Sequence, residues 1–258
     1  LRLFIEPGDS IIDCDPTFGM YSFGARVNAA KVIMVPRDEI FAIDTDAVVK
    51  AIDEKTKLIF ISSPNNPTGN HVTLEEVGVL LETGLPIVID EAYFEFSGET
   101  VVGKVREHEN LVVLKTMSKW AGLAGLRIGY AIMSPILVRH IMDIKSPYNV
   151  SSVAEAAAVV SLKDQEALLS RVNKIVEERE RMIKTLARLD GVIPWPSGAN
   201  FILCQFDIGK ANGIYEGLAS RGIFVRRFDS KRLTDCFRVS VGTPDQNDAV
   251  LNNLSELI

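Results

Sequence analysis

Cysteine and histidine are scarce in this chain of 258 residues, with three of each. Cys14, Cys204 and Cys236 are odd in number, far apart and never in a CxxC pair. That excludes a disulfide framework or a zinc ribbon and leaves reduced interior thiols. His71, His108 and His140 have no neighbour at ligand spacing, so no metal is expected. Positive charge is not in excess either, since the net charge is -6. Without clustered cations, neither nucleic acid nor an acidic membrane surface is expected as a partner. The densest charged run, Glu177 to Arg181, mixes signs at helical spacing and reads as a solvated helix face. No stretch approaches the roughly 18 apolar residues of a membrane span. Residues 1–12 lack the basic region and hydrophobic run of a signal peptide, so the cytoplasm is the expected compartment. Aromatics amount to 7% against 47% hydrophobic residues, which implies an aliphatic core.

What the chain does have is alternation. IIDCD at 11–15, AKVIMVP at 30–36, KLIFISSP at 57–64, PIVIDEA at 86–92, NLVVLKT at 110–116 and GYAIM at 129–133 read as strands. Several are continuous apolar runs, as in strands buried on both faces. Helical periodicity separates them, at 45–53 and after a Thr73 cap at 73–84. Strand and helix in repetition predict an α/β domain with a mostly parallel sheet. Residues 151–190 carry no proline or glycine and predict two long helices broken near Lys163-Asp164. A compact α+β tail follows: NFILCQF, IFVRRF and CFRVSVG as strands, a helix ended by Gly222, and a last helix from about Asp245. The expected division is a large α/β domain over 1–160 and a smaller α+β domain over 161–258.

Polar residues gather where the strands end. Asn65 and Asn66 follow one strand, Asp90 and Glu91 another, Ser118 and Lys119 a third. The carboxyl ends of parallel strands are where ligands bind, so three such ends carrying an amide, an acid and a lysine imply one site. Singly, each has a plainer reading: SPNNPTG as a turn, DEAY as a helix cap, the lysine as solvated.

Together and in this order, the pieces resemble the fold-type I pyridoxal-phosphate aminotransferases, and within them the histidinol-phosphate branch. The resemblance rests on DPTFGMY (15–21), SPNNPTG (63–69), VIDEAYFEF (88–96), TMSKWAGLAGLRIGY (116–130), PYNVS (147–151), PSGANFILC (196–204), VRRF (225–228) and FRVSVG (237–242). It implies pyridoxal 5'-phosphate as cofactor, histidinol phosphate and glutamate or 2-oxoglutarate as substrates, and a homodimer. By that resemblance Lys119 holds the cofactor as a Schiff base and moves the substrate proton, its pKa depressed by partial burial beside Arg127. Asp90 pairs with the ring nitrogen, and Tyr93 and Asn66 meet the phenolic oxygen. Phe18 stacks on the ring, and Thr116, Ser118 and Arg127 bind its phosphate. Arg238 takes a substrate carboxylate and Arg226 the substrate phosphate, while Arg227 faces the other way, since adjacent strand residues point to opposite sides. Asn200 orients the ligand at the domain junction or is a structural amide. Asn65 reads as turn structure.

The family carries a further segment ahead of the point matched by Leu1, with a turn whose amides cup the phosphate at a helix start. LRLFIEPGD is expected to be the end of that helix, and a plastid transit peptide could belong to such a segment. Neighbouring activities of the same branch stay open: an aromatic-amino-acid aminotransferase or a threonine-phosphate decarboxylase. A nucleotide-binding oxidoreductase is disfavoured because no GxGxxG follows the first strand and GLAGLRIG has the wrong spacing. A noncatalytic dimerisation domain is the third class, against which the retained Lys119 and Asp90 speak.

Overall fold

The computed structural model describes residues 1–258. Six strands, β1 (Ser10–Asp15), β2 (Lys31–Pro36), β3 (Thr56–Ser62), β4 (Ile87–Asp90), β5 (Leu111–Thr116) and β6 (Gly129–Ile132), form one sheet in the order β2-β1-β3-β4-β5-β6. All neighbours are parallel except β5 and β6. Helices α1 (Met20–Val27), α2 (Thr45–Lys50) and α3 (Leu74–Leu81) connect the first strands. Burial on both faces explains the unbroken apolar runs: Ile12, Ile59, Ile61, Ile87 and Ile89 pack towards α2 and α3, and Ile11, Leu58, Val88 and Val112 towards α1. Thr73 starts α3 as expected, through a capping box in which its hydroxyl accepts from the Glu76 N–H and the Glu76 carboxylate accepts from the Thr73 N–H.

Helix α4 (Pro135–Ile144), capped by Ser134 and opened by a proline, follows β6; the sequence reading leaves it unassigned, and it rests on the sheet through the half-buried Leu137. The two long helices are α5 (Ser152–Lys163) and α6 (Gln165–Leu186), and the break falls at Asp164 as expected. They lead to a four-stranded antiparallel sheet, β7-β8-β10-β9, built from β7 (Val192–Pro194), β8 (Phe201–Phe206), β9 (Arg226–Arg227) and β10 (Cys236–Ser240). Helices α7 (Ala211–Ser220) and α8 (Pro244–Leu257) cover it. The strand expected over IFVRRF shrinks to two residues, since only Arg226 and Arg227 find partners on β10. At the chain start Phe4 and Ile5 donate to the Leu1 carbonyl in a single turn, where the end of a helix is expected.

The two halves meet through the segments that follow β4 and β5. Tyr93, Phe96, Met117 and Trp120 from these segments pack with Val172 of α6, with Ala199 and with Phe201 of β8. At this junction the Gly69 carbonyl accepts from the Gly198 N–H at 2.8 Å. A Cβ on Gly69, whose φ is +80°, would lie 2.5 Å from the Ser197 hydroxyl oxygen, so only glycine fits both the turn and the approach.

Candidate active site

In a sheet of this order the crevice opens beside β1 and β3, where successive connections leave in opposite directions. The segment after β1 contributes Phe18, and the loop after β3 contributes Asn66. Asp90 ends β4 next door. Phe18, Tyr21, Ser62, Asn66, Asp90, Ala92, Tyr93, Lys119 and Arg238 line one cavity of about 220 Å³. Phe18 also borders a cavity reaching Thr116, Ser118, Lys119 and Arg127, and another reaching Asn66, Arg226 and Arg238. A half-exposed aromatic ring thus stands at the meeting point of three compartments.

Asp90 is well placed to face a cation. Its Oδ2 accepts from the Tyr21 hydroxyl at 2.6 Å and its Oδ1 from the Ala92 N–H at 3.0 Å. Each carboxylate oxygen has a second lone pair, so acceptor capacity is left for the cavity. Burial pushes its carboxyl up; the Tyr21 and Ala92 hydrogen bonds oppose that, and Lys119 opposes it less. Tyr93 is buried with its ring edge-on to Phe201, 5.1 Å between centroids.

Lys119 keeps a solvent-facing side, yet the protein atoms packed behind it desolvate the ammonium. Its pKa is lowered, first by that desolvation, then by Arg238, and only then by Arg127. Burial is the expected leading cause, but of the two cations Arg238, from the second sheet, contributes more than the expected Arg127. The amine lies 5.4 Å from the Tyr93 ring centroid.

The phosphate-side residues are brought together with one qualification. Thr116 donates to the Ser118 hydroxyl at 2.9 Å and accepts from the Ser118 N–H at 3.1 Å, so its hydroxyl is engaged inside the turn. The Thr116 hydroxyl also lies 3.3 Å from the Ile128 carbonyl, which further ties it into the turn. Arg127 is exposed, adopts the left-handed conformation (φ 56°) and donates to the Ala124 carbonyl at 2.8 Å. Gly129 allows β6 to run close against β5, because a Cβ there would meet the Lys115 carbonyl at 2.7 Å.

On the far side, Arg238 donates to Asn66 Oδ1 at 2.5 Å and lies over the Phe201 ring at 4.7 Å. Arg226 pairs with it in register on β9, so both point into the same cavity, whereas Arg227 turns away to Asn212 as alternation requires. Asn200 lines none of the three compartments; its carbonyl accepts from the Val241 N–H. Asn65 is fully buried turn structure, accepting from Thr17 at 2.6 Å and donating to the Pro16 carbonyl and to Thr68. Tyr21 and Ser62 carry no local sequence signature of a site residue; the one signal for Tyr21 is that a tyrosine inside an apolar motif must find a partner for its hydroxyl.

The sequence pattern described as aminotransferase class I and II matches residues 1–254. The chain belongs to that aminotransferase family. Relatives of this aminotransferase include the histidinol-phosphate aminotransferase of Dehalococcoides mccartyi, 46% identical over 257 residues that make up 100% of this chain and 72% of that protein. The chloroplastic histidinol-phosphate aminotransferase of Nicotiana tabacum is 43% identical, with 98% of this chain and 62% of that protein aligned. Among solved structures, histidinol-phosphate aminotransferase from Sinorhizobium meliloti in complex with pyridoxal-5'-phosphate superposes with a TM-score of 0.90 at 26% identity, over 99% of this chain and 72% of that chain. The expected fold-type I architecture is thereby met. No helix of this aminotransferase is long and apolar enough to cross a membrane.

Proposed function

We propose that this aminotransferase interconverts histidinol phosphate and imidazole acetol phosphate, with glutamate and 2-oxoglutarate as the amino-group partners, in histidine biosynthesis. The observation that carries the reading is one cleft with Lys119 and Asp90 at its centre and two in-register arginines, Arg226 and Arg238, at its outer wall. Such a cleft suits a small anionic amine.

The residues fit pyridoxal 5'-phosphate. Arg238 has a buried Nε without a partner, Asp90 has spare acceptor capacity, and the Lys119 amine makes no hydrogen bond to the protein. When bound, the cofactor supplies an electron sink for the substrate's α-carbon. Asp90 holds the positive charge of the ring nitrogen, and Tyr93 and Asn66 hold the phenolic oxygen. Phe18 sets the ring plane, while Ser118 and Arg127, braced by Thr116, hold the phosphate. Lys119 Nζ would anchor the cofactor and would take and return the substrate proton; its lowered pKa leaves more of it neutral for that task. Arg238 takes a carboxylate and Arg226 the substrate phosphate. Of the two readings of Asn200, ligand contact and structural amide, the second is the better supported, since Asn200 lines none of the three compartments.

Residues 1–160 form the cofactor-binding domain in this reading and 161–258 the smaller one, a division supported by their separate cores. A homodimer belongs to the same reading, supported by the exposed Ile136, Met142, Val153 and Val160 on α4 and α5. The compartment follows the host, the cytoplasm in a bacterium or the plastid in a plant, as the names of bacterial and chloroplastic relatives suggest.

The test combines binding and turnover. Mixed with pyridoxal 5'-phosphate, the protein should develop an absorbance band that Lys119→Ala lacks, and histidinol phosphate with 2-oxoglutarate should yield glutamate. A band without turnover of histidinol phosphate, but with turnover of phenylalanine, would move the assignment to an aromatic-amino-acid aminotransferase. No band at all would leave a noncatalytic domain.

A further inference from the structure

We propose that Tyr21 is a positioning residue for the cofactor: its hydroxyl fixes the Asp90 carboxylate in the orientation and ionised state that meets the ring nitrogen. The proposal rests on the reading that Asp90 faces that nitrogen. Tyr21 is the only side chain that donates to Asp90, at 2.6 Å to Oδ2; without it that oxygen has no protein donor and only the Ala92 N–H remains, on Oδ1. The donor cannot wander. Its ring is buried, stacked on Phe60 with centroids 4.9 Å apart and planes 7° from parallel, and meets Phe18 edge-on at 5.6 Å and 80°. One side chain thereby braces both the carboxylate and the aromatic ring assigned to the cofactor's face.

The charge balance points the same way. Burial pushes the Asp90 carboxyl up and Glu91, the residue that follows β4, adds to this; the foremost opposing influence is the Tyr21 hydrogen bond, ahead of Ala92 and of Lys119. Tyr93 and Arg238 line the same cavity, and Asp13 on β1 acts on Tyr21 from behind. Burial and the Asp90 charge push the Tyr21 phenol well above its ordinary value, so it stays a donor across the working range.

The test measures equilibrium binding of pyridoxal 5'-phosphate and of its carbocyclic analogue, in which a CH replaces the ring nitrogen. The full-length protein should prefer the former. Tyr21→Phe should lose about tenfold or more of its affinity for pyridoxal 5'-phosphate, the scale of one charge-assisted hydrogen bond, and little for the analogue. The acid limb of its binding curve against pH should move to higher pH, because Asp90 without its donor protonates more readily. Phe60→Leu loosens the same packing but keeps the hydroxyl, so it should retain the preference even if both variants are less stable. Equal losses for the two compounds in Tyr21→Phe, an unmoved acid limb, or a lost preference in Phe60→Leu would reduce Tyr21 to packing and overturn the proposal. A wild-type protein that binds both compounds equally would instead overturn the placement of Asp90 itself, and the proposal with it.

Discussion

Arg238 donates from Nη1 to Asn66 Oδ1 at 2.5 Å while Nε of the same guanidinium is buried without a partner. One end is fixed and the other is waiting: the strand from the second sheet is tied to the loop after β3, and the unpartnered donor marks where a carboxylate belongs.

Arg238→Lys tests this. Lysine keeps the charge but not the planar fork, so the bidentate contact is lost. The KM for glutamate and for 2-oxoglutarate should rise on the order of ten- to a hundredfold, the equivalent of about 1.5–3 kcal/mol for a hydrogen bond to a charged group. Histidinol phosphate has no carboxylate and should be affected less. Steady-state kinetics of the two half-reactions would expose an equal effect on both, which would deny Arg238 this role.

Arg226 and Arg227 are adjacent and both exposed, yet only Arg226 faces the cleft. Arg226→Ala should raise the KM for histidinol phosphate at least tenfold, the loss of one charge-assisted contact to phosphate, and leave the use of phenylalanine nearly unchanged. Arg227→Ala should alter neither. Matching losses on the two substrates would remove the phosphate assignment.

How far the sequence exposes this site depends on where the information sits. Asp90, Asn66 and Lys119 are legible because strand ends in an α/β sheet are ligand-binding places and their residue types are chemically distinct. The opposite orientation of Arg226 and Arg227 follows from strand alternation alone. Helix α4 escapes although Leu137 and Ile141, one turn apart, are half-buried and Leu137 packs on the sheet core, because most of its other apolar residues, among them Ile136, Val138 and Met142, are exposed. The hold of Arg238 on Lys119 and the Tyr21–Asp90 bond escape because they join residues 119 and 69 positions apart, which no local pattern encodes. The involvement of Thr116 in its own turn likewise depends on hydroxyl geometry that residue type does not specify.

Glu91 and Lys115 form an ion pair at 2.8 Å that is almost wholly buried. Glu91 also accepts from the Thr100 hydroxyl at 2.6 Å and the Val101 N–H at 2.7 Å, and the Lys115 amine sits over the Phe94 ring. The pair ties β4 to β5 directly behind Asp90 and Thr116. Glu91→Gln would leave a buried ammonium uncompensated and should destabilise by about 3–5 kcal/mol. Lys115→Met added to it should recover part of the loss, since an apolar side chain has no charge to desolvate. Chemical denaturation of the single and double variants measures this, and strictly additive losses would mean that the two charges do not interact.

Asp13 lies on β1 in the core of the sheet, with one carboxylate oxygen lacking any hydrogen-bond partner. Burial pushes its carboxyl up to about 7, the nearby Asp15 adds to this, and Arg37 opposes it. The unfolded chain releases the same proton near pH 4. Between about pH 4 and pH 7 the native state therefore binds a proton that the unfolded state has lost, so this group's contribution to stability falls as pH rises through that window and is level above it. Asp13→Asn preserves the shape and removes the ionisation. Urea denaturation at pH 4.5, 6, 7 and 8 should show the variant close to wild type at the acid end and more stable at pH 8, by a few kcal/mol at most, on the order of 1.4 kcal/mol per pKa unit. The flattening should be partial, because Glu95, also pushed up to about 7 by burial, titrates in the same window. A variant less stable than wild type at pH 8 would instead mean that Arg37 outweighs burial and favours the ionised Asp13 carboxylate in the native protein.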